Sequence, residues 1–248
     1  MRISAVLLLV ALLGSFARGQ HVQDDSTSSS STPYILAGGT ALTLLLFAHD
    51  QSISDELVAW KMRNAFVKDA SPIVTHGGDF VLATGVFAGL GVIGYLADDE
   101  SAMELGKAGL IGVGSSGLAT QVLKRLFGRE RPEDATKSGG AWHGPALAPS
   151  FDAFPSGHAT VAFSVATVFT DMNDDSPWVG YVAYPLAAVS ALRRATEKKH
   201  WASDVVAGAL IGTYVTKIAL TVVRSSSALS ISPSMVTRSA RISVAIPL

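Results

Sequence analysis

The sequence predicts an all-α protein built as a multi-helix bundle. Three observations carry that expectation. Apolar stretches alternate with short polar ones over roughly 34–48, 73–97, 102–127, 157–171, 178–192 and 203–223. These runs are longer than ordinary strands and are dominated by Ala, Leu, Gly and Val, without the alternation of a half-buried strand. The chain of 248 residues is 48% hydrophobic and 16% charged, with a mean hydropathy of +0.36, which excludes disorder of the whole chain.

The elements follow in order. Residues 1–19 read as a secretory signal peptide. Met1-Arg2 is a basic start, Ile3 to Leu13 is almost wholly apolar, and Ala17-Arg18-Gly19 supplies small residues before a cleavage point at Gln20. An uncleaved anchor is the other reading of the same segment. Residues 20–33, QHVQDDSTSSSSTP, are polar and Ser-rich and read as a flexible linker. Residues 34–99 are expected to form the N-terminal helices of the bundle. They include an amphipathic piece over 55–67, capped by Ser54, with Leu57, Val58, Phe66 and Val67 on one side. Residues 100–223 are expected to hold the remaining helices of the bundle and the motifs that carry its chemistry. Residues 224–248 show short alternation, as in Arg241-Ile242-Ser243-Val244-Ala245-Ile246, and read as an extended tail. The many Gly and Ala residues permit close helix crossings.

The charge balance, 19 Lys+Arg against 20 Asp+Glu, shows no cationic excess of the kind nucleic-acid binding requires. With no Cys, disulfide scaffolds and thiolate zinc sites are excluded. The signal peptide places function outside the cytoplasm, secreted or periplasmic. Two arrangements fit the apolar runs equally. Composition favours helices embedded in a membrane. Short runs, the acidic interruptions at Asp79 and Glu104, and the parity of crossings needed to keep a site outside favour a soluble or surface-associated bundle. Oligomeric state is not legible.

Three segments gather cationic and imidazole side chains in this apolar chain. The first is Lys124-Arg125-Leu126-Phe127-Gly128-Arg129-Glu130-Arg131-Pro132. Lys124 and Arg131 share a helix face if the helix continues to Pro132; a solvated basic helix end is the plainer reading. The second is Pro155-Ser156-Gly157-His158 ahead of an apolar run. Ser156 is a natural N-cap, and Gly157 lets an anion approach the free amides of a helix start, beside His158. An ordinary capped helix with a surface His fits the tetrapeptide equally well. The third runs from Arg194 to Asp204 and contains His200. On a helix, Asp204 would hold one ring nitrogen of His200 and leave the other nucleophilic. A charged loop before a helix start is the alternative. His21, His49 and His76 look incidental, and Trp142 and His143 read as a plain exposed loop, with a part in shaping substrate entry as the alternative.

Together the segments spell Lys-x6-Arg-Pro, Pro-Ser-Gly-His and Arg-x5-His-x3-Asp, with 22 residues between Pro132 and Pro155 and 35 between His158 and Arg194. The pattern, over about residues 100–223, resembles the type 2 phosphatidic acid phosphatase (PAP2) superfamily, which shares its site with bacterial acid phosphatases and vanadium haloperoxidases. That resemblance implies a helical bundle of the same type and a metal-independent phosphatase needing no cofactor. It implies that His200 attacks phosphorus to give a phosphohistidine, that Asp204 orients His200, and that His158 protonates the leaving oxygen and then activates water. Lys124, Arg131 and Arg194 would grip the phosphoryl oxygens, with Ser156 and Gly157 adding donors. The expected substrates are lipid phosphates such as phosphatidic acid, or prenyl pyrophosphates. A soluble-ester acid phosphatase and a vanadate-dependent haloperoxidase are the alternatives on the same frame. One departure stands out: the family commonly has Ser before the third-segment Arg, where this chain has Arg193.

Overall fold

A computed structural model of the chain describes residues 32–64, 75–146 and 151–228. The expected signal peptide, most of the expected linker, Phe66 and Val67 of the expected amphipathic piece, and residues 229–248 lie outside the described residues. Seven α-helices are present among them: α1 Thr32–Phe47, α2 Asp50–Arg63, α3 Phe80–Leu96, α4 Glu100–Phe127, α5 Gly157–Asp171, α6 Trp178–Thr196 and α7 Ala202–Ala228. A 3-10 turn, Thr75–Gly78, precedes α3. No strand occurs among the described residues, only an isolated bridge between Arg129 and Trp142, so the all-α expectation holds.

The bundle is organised around α5. This 15-residue helix is buried on nearly every side, from Ala159 through Val168, and packs against α4, α6 and α7. A helix apolar all round has no face to give to water, so it takes the centre. Phe163, Tyr184, Leu192, Val205 and Val206 form one apolar cluster with Leu57 of α2. Phe87, Val113, Val161, Val168 and Leu220 form a second among α3, α4, α5 and α7. The hydroxyls that α5 buries all find partners across helices: Thr120 Oγ1 donates to Thr160 Oγ1 at 3.0 Å, Ser164 pairs with Thr216 at 2.7 Å and Thr167 with the Tyr184 hydroxyl at 3.1 Å.

Small residues set the helix spacing, as expected. A Cβ on Gly106 of α4 would stand 2.6 Å from the Gly91 Cα of α3, so these two helices meet backbone to backbone. The two acids that interrupt the apolar runs are not buried in them. Asp79 caps α3, accepting from Leu82 N at 2.9 Å, and Glu104 is half exposed and paired with Lys107 at 2.7 Å.

Three local expectations are corrected. α2 starts at Asp50, not beyond Ser54, and Ser54 is buried inside it; the start moves because the Asp50 carboxylate is bonded into the protein interior. α4 stops at Phe127 rather than reaching Pro132. Gly128 there adopts φ 56°, a left-handed C-cap that turns the chain away and puts Arg131 in a loop. α7 runs on to Ala228, into the stretch read as tail, where the Ser226 hydroxyl donates to the Val222 carbonyl at 2.8 Å.

Large apolar side chains cover much of the outside. Val81, Val86, Ile93 and Leu96 of α3, Leu118 and Val122 of α4, Tyr181, Leu186 and Val189 of α6, and Ile218 and Val222 of α7 are all exposed. One helix among the described residues, Ala202–Ser226, is long and apolar enough to cross a membrane, and over half of it is buried by its neighbours.

Candidate active site

The loop after α4 is held open as a rigid frame. The Glu130 carboxylate accepts from Thr136 N and Ala141 N at 3.0 Å each, from the Thr136 hydroxyl at 3.0 Å, and pairs with His143 Nε2 at 3.1 Å. These bonds, the two backbone amides foremost, hold its pKa down at about 2. Trp201 Nε1 donates to the Glu130 carbonyl at 2.9 Å, tying the loop to the start of α7.

Lys124, in the last turn of α4, is buried rather than solvated. Its ammonium donates to the Asp152 carbonyl and lies 3.8 Å from Asp152 Oδ2. Burial pulls its pKa down, with Asp152 and then Asp204 opposing. Arg131 reaches the same residue: Nε and Nη2 each stand 2.8 Å from Asp152 Oδ1. Lys124 and Arg131 therefore converge as the sequence suggests, through a loop and a shared carboxylate instead of a common helix face. Gly157 adjoins Lys124, for a Cβ there would lie 3.7 Å from Lys124 Cε.

Ser156 caps α5, its Oγ accepting from Ala159 N at 3.4 Å. Its own N–H donates to the Asp204 carbonyl at 2.9 Å, which fastens the second motif to the third. This close approach needs Gly208, where a Cβ would collide with the Ser156 carbonyl and sit 3.0 Å from Ala159 Cβ. His158 follows in the first turn of α5, its ring packed over Gly78 of the 3-10 turn.

His200 is buried in the loop just before α7. Its Nδ1 lies 2.7 Å from the Ala153 carbonyl, an acceptor, so Nδ1 carries the proton and Nε2 keeps its lone pair. Asp204 Oδ2 is 3.9 Å from Nδ1. The hydrogen bond expected from Asp204 is thus made by a backbone carbonyl, and Asp204 supplies charge at slightly longer range. Its own oxygens are taken by Trp201 N at 2.8 Å and Arg129 Nη1 at 2.6 Å. Burial holds the His200 pKa well below 6.5, helped by Lys124 and Arg194 and opposed by the Ala153 bond.

Arg194, at the end of α6, lies 3.6 Å from Glu197 through Nη1, and its Nε is buried with no hydrogen-bond partner among the described residues. Arg193, where the family pattern has Ser, gives Nε and Nη2 to Glu197 Oε1 at 2.8 and 2.6 Å.

Four participants escape sequence reasoning: Asp152, the Ala153 carbonyl, Arg129 and Asp50. Arg129 stands inside the first motif, yet nothing local separates it from the other basic residues there. It is buried, with its guanidinium 4.8 Å from the Trp142 ring centroid and 5.1 Å from that of Phe47. Trp142 is no plain loop residue either: its ring packs against Phe47, Phe154 and Phe127 at 5.4, 5.4 and 6.0 Å. Trp142 and Phe127 remain more than 40% exposed, an apolar wall two residues from Ser156 through Phe154.

What the arrangement offers is an imidazole with a free lone pair, buried beside three cations and a capped helix start: a site for a tetrahedral anion and a nucleophile to attack it. A model of the PAP2 superfamily matches residues 108–227, and over this stretch the chain is similar to that superfamily. Over 123 residues, 49% of the chain, it is 29% identical to the lipid A 1-phosphatase of Porphyromonas gingivalis, and it spans about a quarter of that relative's length, 24%. No solved structure matches.

Proposed function

We propose that the chain is a metal-independent phosphatase that hydrolyses phosphomonoesters or pyrophosphates of lipids through a phosphohistidine. The observation that carries this reading is the His200 imidazole, its Nδ1 held by the Ala153 carbonyl so that Nε2 keeps its lone pair, within a cluster of Lys124, Arg131 and Arg194. The Nε2 lone pair attacks phosphorus as the bond to the leaving oxygen breaks, and His158 gives that oxygen a proton. His158 then takes a proton from water, the water oxygen attacks phosphorus, and the P–N bond breaks to release phosphate and free His200. Charge spread over the phosphoryl oxygens is met by the three cations and the Ser156–Gly157 helix start.

A phosphorylated lipid is favoured over a soluble ester by two features. The similar protein is named for action on lipid A, and this chain presents apolar side chains on α3, α4, α6 and α7 together with the Trp142–Phe127 wall by the site. Such a surface suits a protein associated with a lipid bilayer. The signal peptide expected over residues 1–19 puts the site on the extracytoplasmic side.

A panel of phosphatidic acid, undecaprenyl pyrophosphate and p-nitrophenyl phosphate, assayed with and without chelator, tests the reading. Chelator-resistant turnover, fastest on the lipids, is expected, with His200→Ala folded and inactive. Wild-type turnover by His200→Ala, or complete loss with chelator, would refute it.

A further inference from the structure

We propose that Asp50, in the first turn of α2 and outside the family-matched 108–227, is a positioning residue for His200, acting through Arg129, Ser203 and Asp204. Asp50, Arg129 and Asp204 have side chains only 0–1% exposed. Arg129 Nη2 donates to Asp50 Oδ2 at 2.7 Å, and Nη1 donates to Asp204 Oδ1 at 2.6 Å and to Ser203 Oγ at 2.7 Å. The remaining N–H groups point at the Gly139 carbonyl, Nη2 at 2.6 Å and Nε at 3.3 Å, so the whole guanidinium is engaged. Asp50 also takes the Ser203 N–H at 3.0 Å and the Ser203 hydroxyl, which sets the first turn of α7 and with it Asp204.

The charge count gives this cluster a purpose beyond fastening α2 to α7. A lone Arg129 would cancel Asp204. Burial raises the pKa of both carboxylates, that of Asp204 to about 6, against the pull of Arg129; with both ionised, the three side chains carry one net negative charge, placed against the imidazole. That ring becomes a cation once Nε2 bears a phosphoryl group and Nδ1 keeps its proton. The groups facing it from α4, the following loop and α6 are Lys124, Arg131 and Arg194, all positive, while Asp152 is already engaged with Lys124 and Arg131. Among the described residues, negative charge reaches it from the α7 side through Asp204, and Asp50, by sharing Arg129, keeps that charge from being fully neutralised. As a means of stabilising the fold alone, a buried ion network has little advantage over apolar packing.

This inference rests on the phosphatase reading and is tested on the full chain with p-nitrophenyl phosphate. Asp50→Asn is expected to lower kcat about 10- to 100-fold with KM within about threefold of wild type. It is also expected to move the acid limb of the pH–rate profile downward, because one negative charge near His200 is gone. Wild-type kcat and pH profile in folded Asp50→Asn, or a loss expressed in KM alone, would overturn it. If Asp50→Asn does not fold, Ser203→Ala decides: a lowered kcat at unchanged KM supports the role, and an unchanged kcat overturns it. His200→Ala separates the two layers. Activity there sinks the phosphatase site itself, whereas an inactive His200→Ala beside a fully active Asp50→Asn sinks only the role of Asp50.

Discussion

Removing Arg131 tests the contribution of one planar cation to the proposed phosphoryl transfer. Its guanidinium presents Nε and Nη2 to a single oxygen, Asp152 Oδ1, at 2.8 Å each, while Nη1 lies 3.7 Å from Glu133. The side chain is a quarter exposed, so Arg131→Ala leaves no large cavity, and Asp152 keeps Lys124 as a partner. The loss therefore falls on the transition state, where charge on the phosphoryl oxygens is greatest. Deleting one such fixed donor costs about 2–4 kcal/mol, or about 30- to 1,000-fold in kcat/KM. Arg131→Lys keeps the charge without the planar fork and is expected to fall between. The assay is kcat/KM on p-nitrophenyl phosphate, with thermal unfolding of each variant alongside. An Arg131→Ala variant within threefold of wild-type kcat/KM would show that Arg131 does not grip the phosphate.

Three further outcomes are expected. Because His200 is held neutral well below 6.5, kcat/KM should stay level as pH falls to 6.5 and decline only beneath it; a midpoint at or above 6.5 would contradict the buried neutral nucleophile. The same group contributes to stability in a defined direction. The unfolded chain binds a proton near pH 6.5 that the folded chain refuses, so unfolding free energy should drop as pH falls from 6.5 toward the depressed folded value, visible in denaturant melts. Separately, Gly208→Ala drives a methyl into the Ser156 carbonyl and should destabilise the fold by about 1–3 kcal/mol while lowering kcat, because the cap of α5 is displaced; unchanged melting and activity would mean that α5 and α7 are not closely packed.

Much of this was readable along the chain. The α5 start at Gly157 and its Ser156 cap follow from the tetrapeptide and the apolar run behind it, both local signals. The spacing of Lys124, Arg131, His158, Arg194, His200 and Asp204 was likewise enough to suggest a phosphate site. Local signals failed where a distant partner overrode them. The Ser54 cap gave way to a start at Asp50 because Asp50 bonds to Arg129 and Ser203, the latter 153 residues away in sequence. The shared helix face for Lys124 and Arg131 gave way to a left-handed turn at Gly128, after which Asp152 brings the two together.

Residue order alone was sufficient for the helical class and for the chemical identity of the motifs, because helix periodicity, caps and motif spacing are properties of neighbours along the chain. Folding in three dimensions decided which acceptor fixes the His200 tautomer, which acid faces Arg131, and that a carboxylate from the N-terminal helices bonds the arginine that holds Asp204. Those choices depend on the burial of charge, which forces each ion in the interior to find a partner wherever the packing brings one within reach.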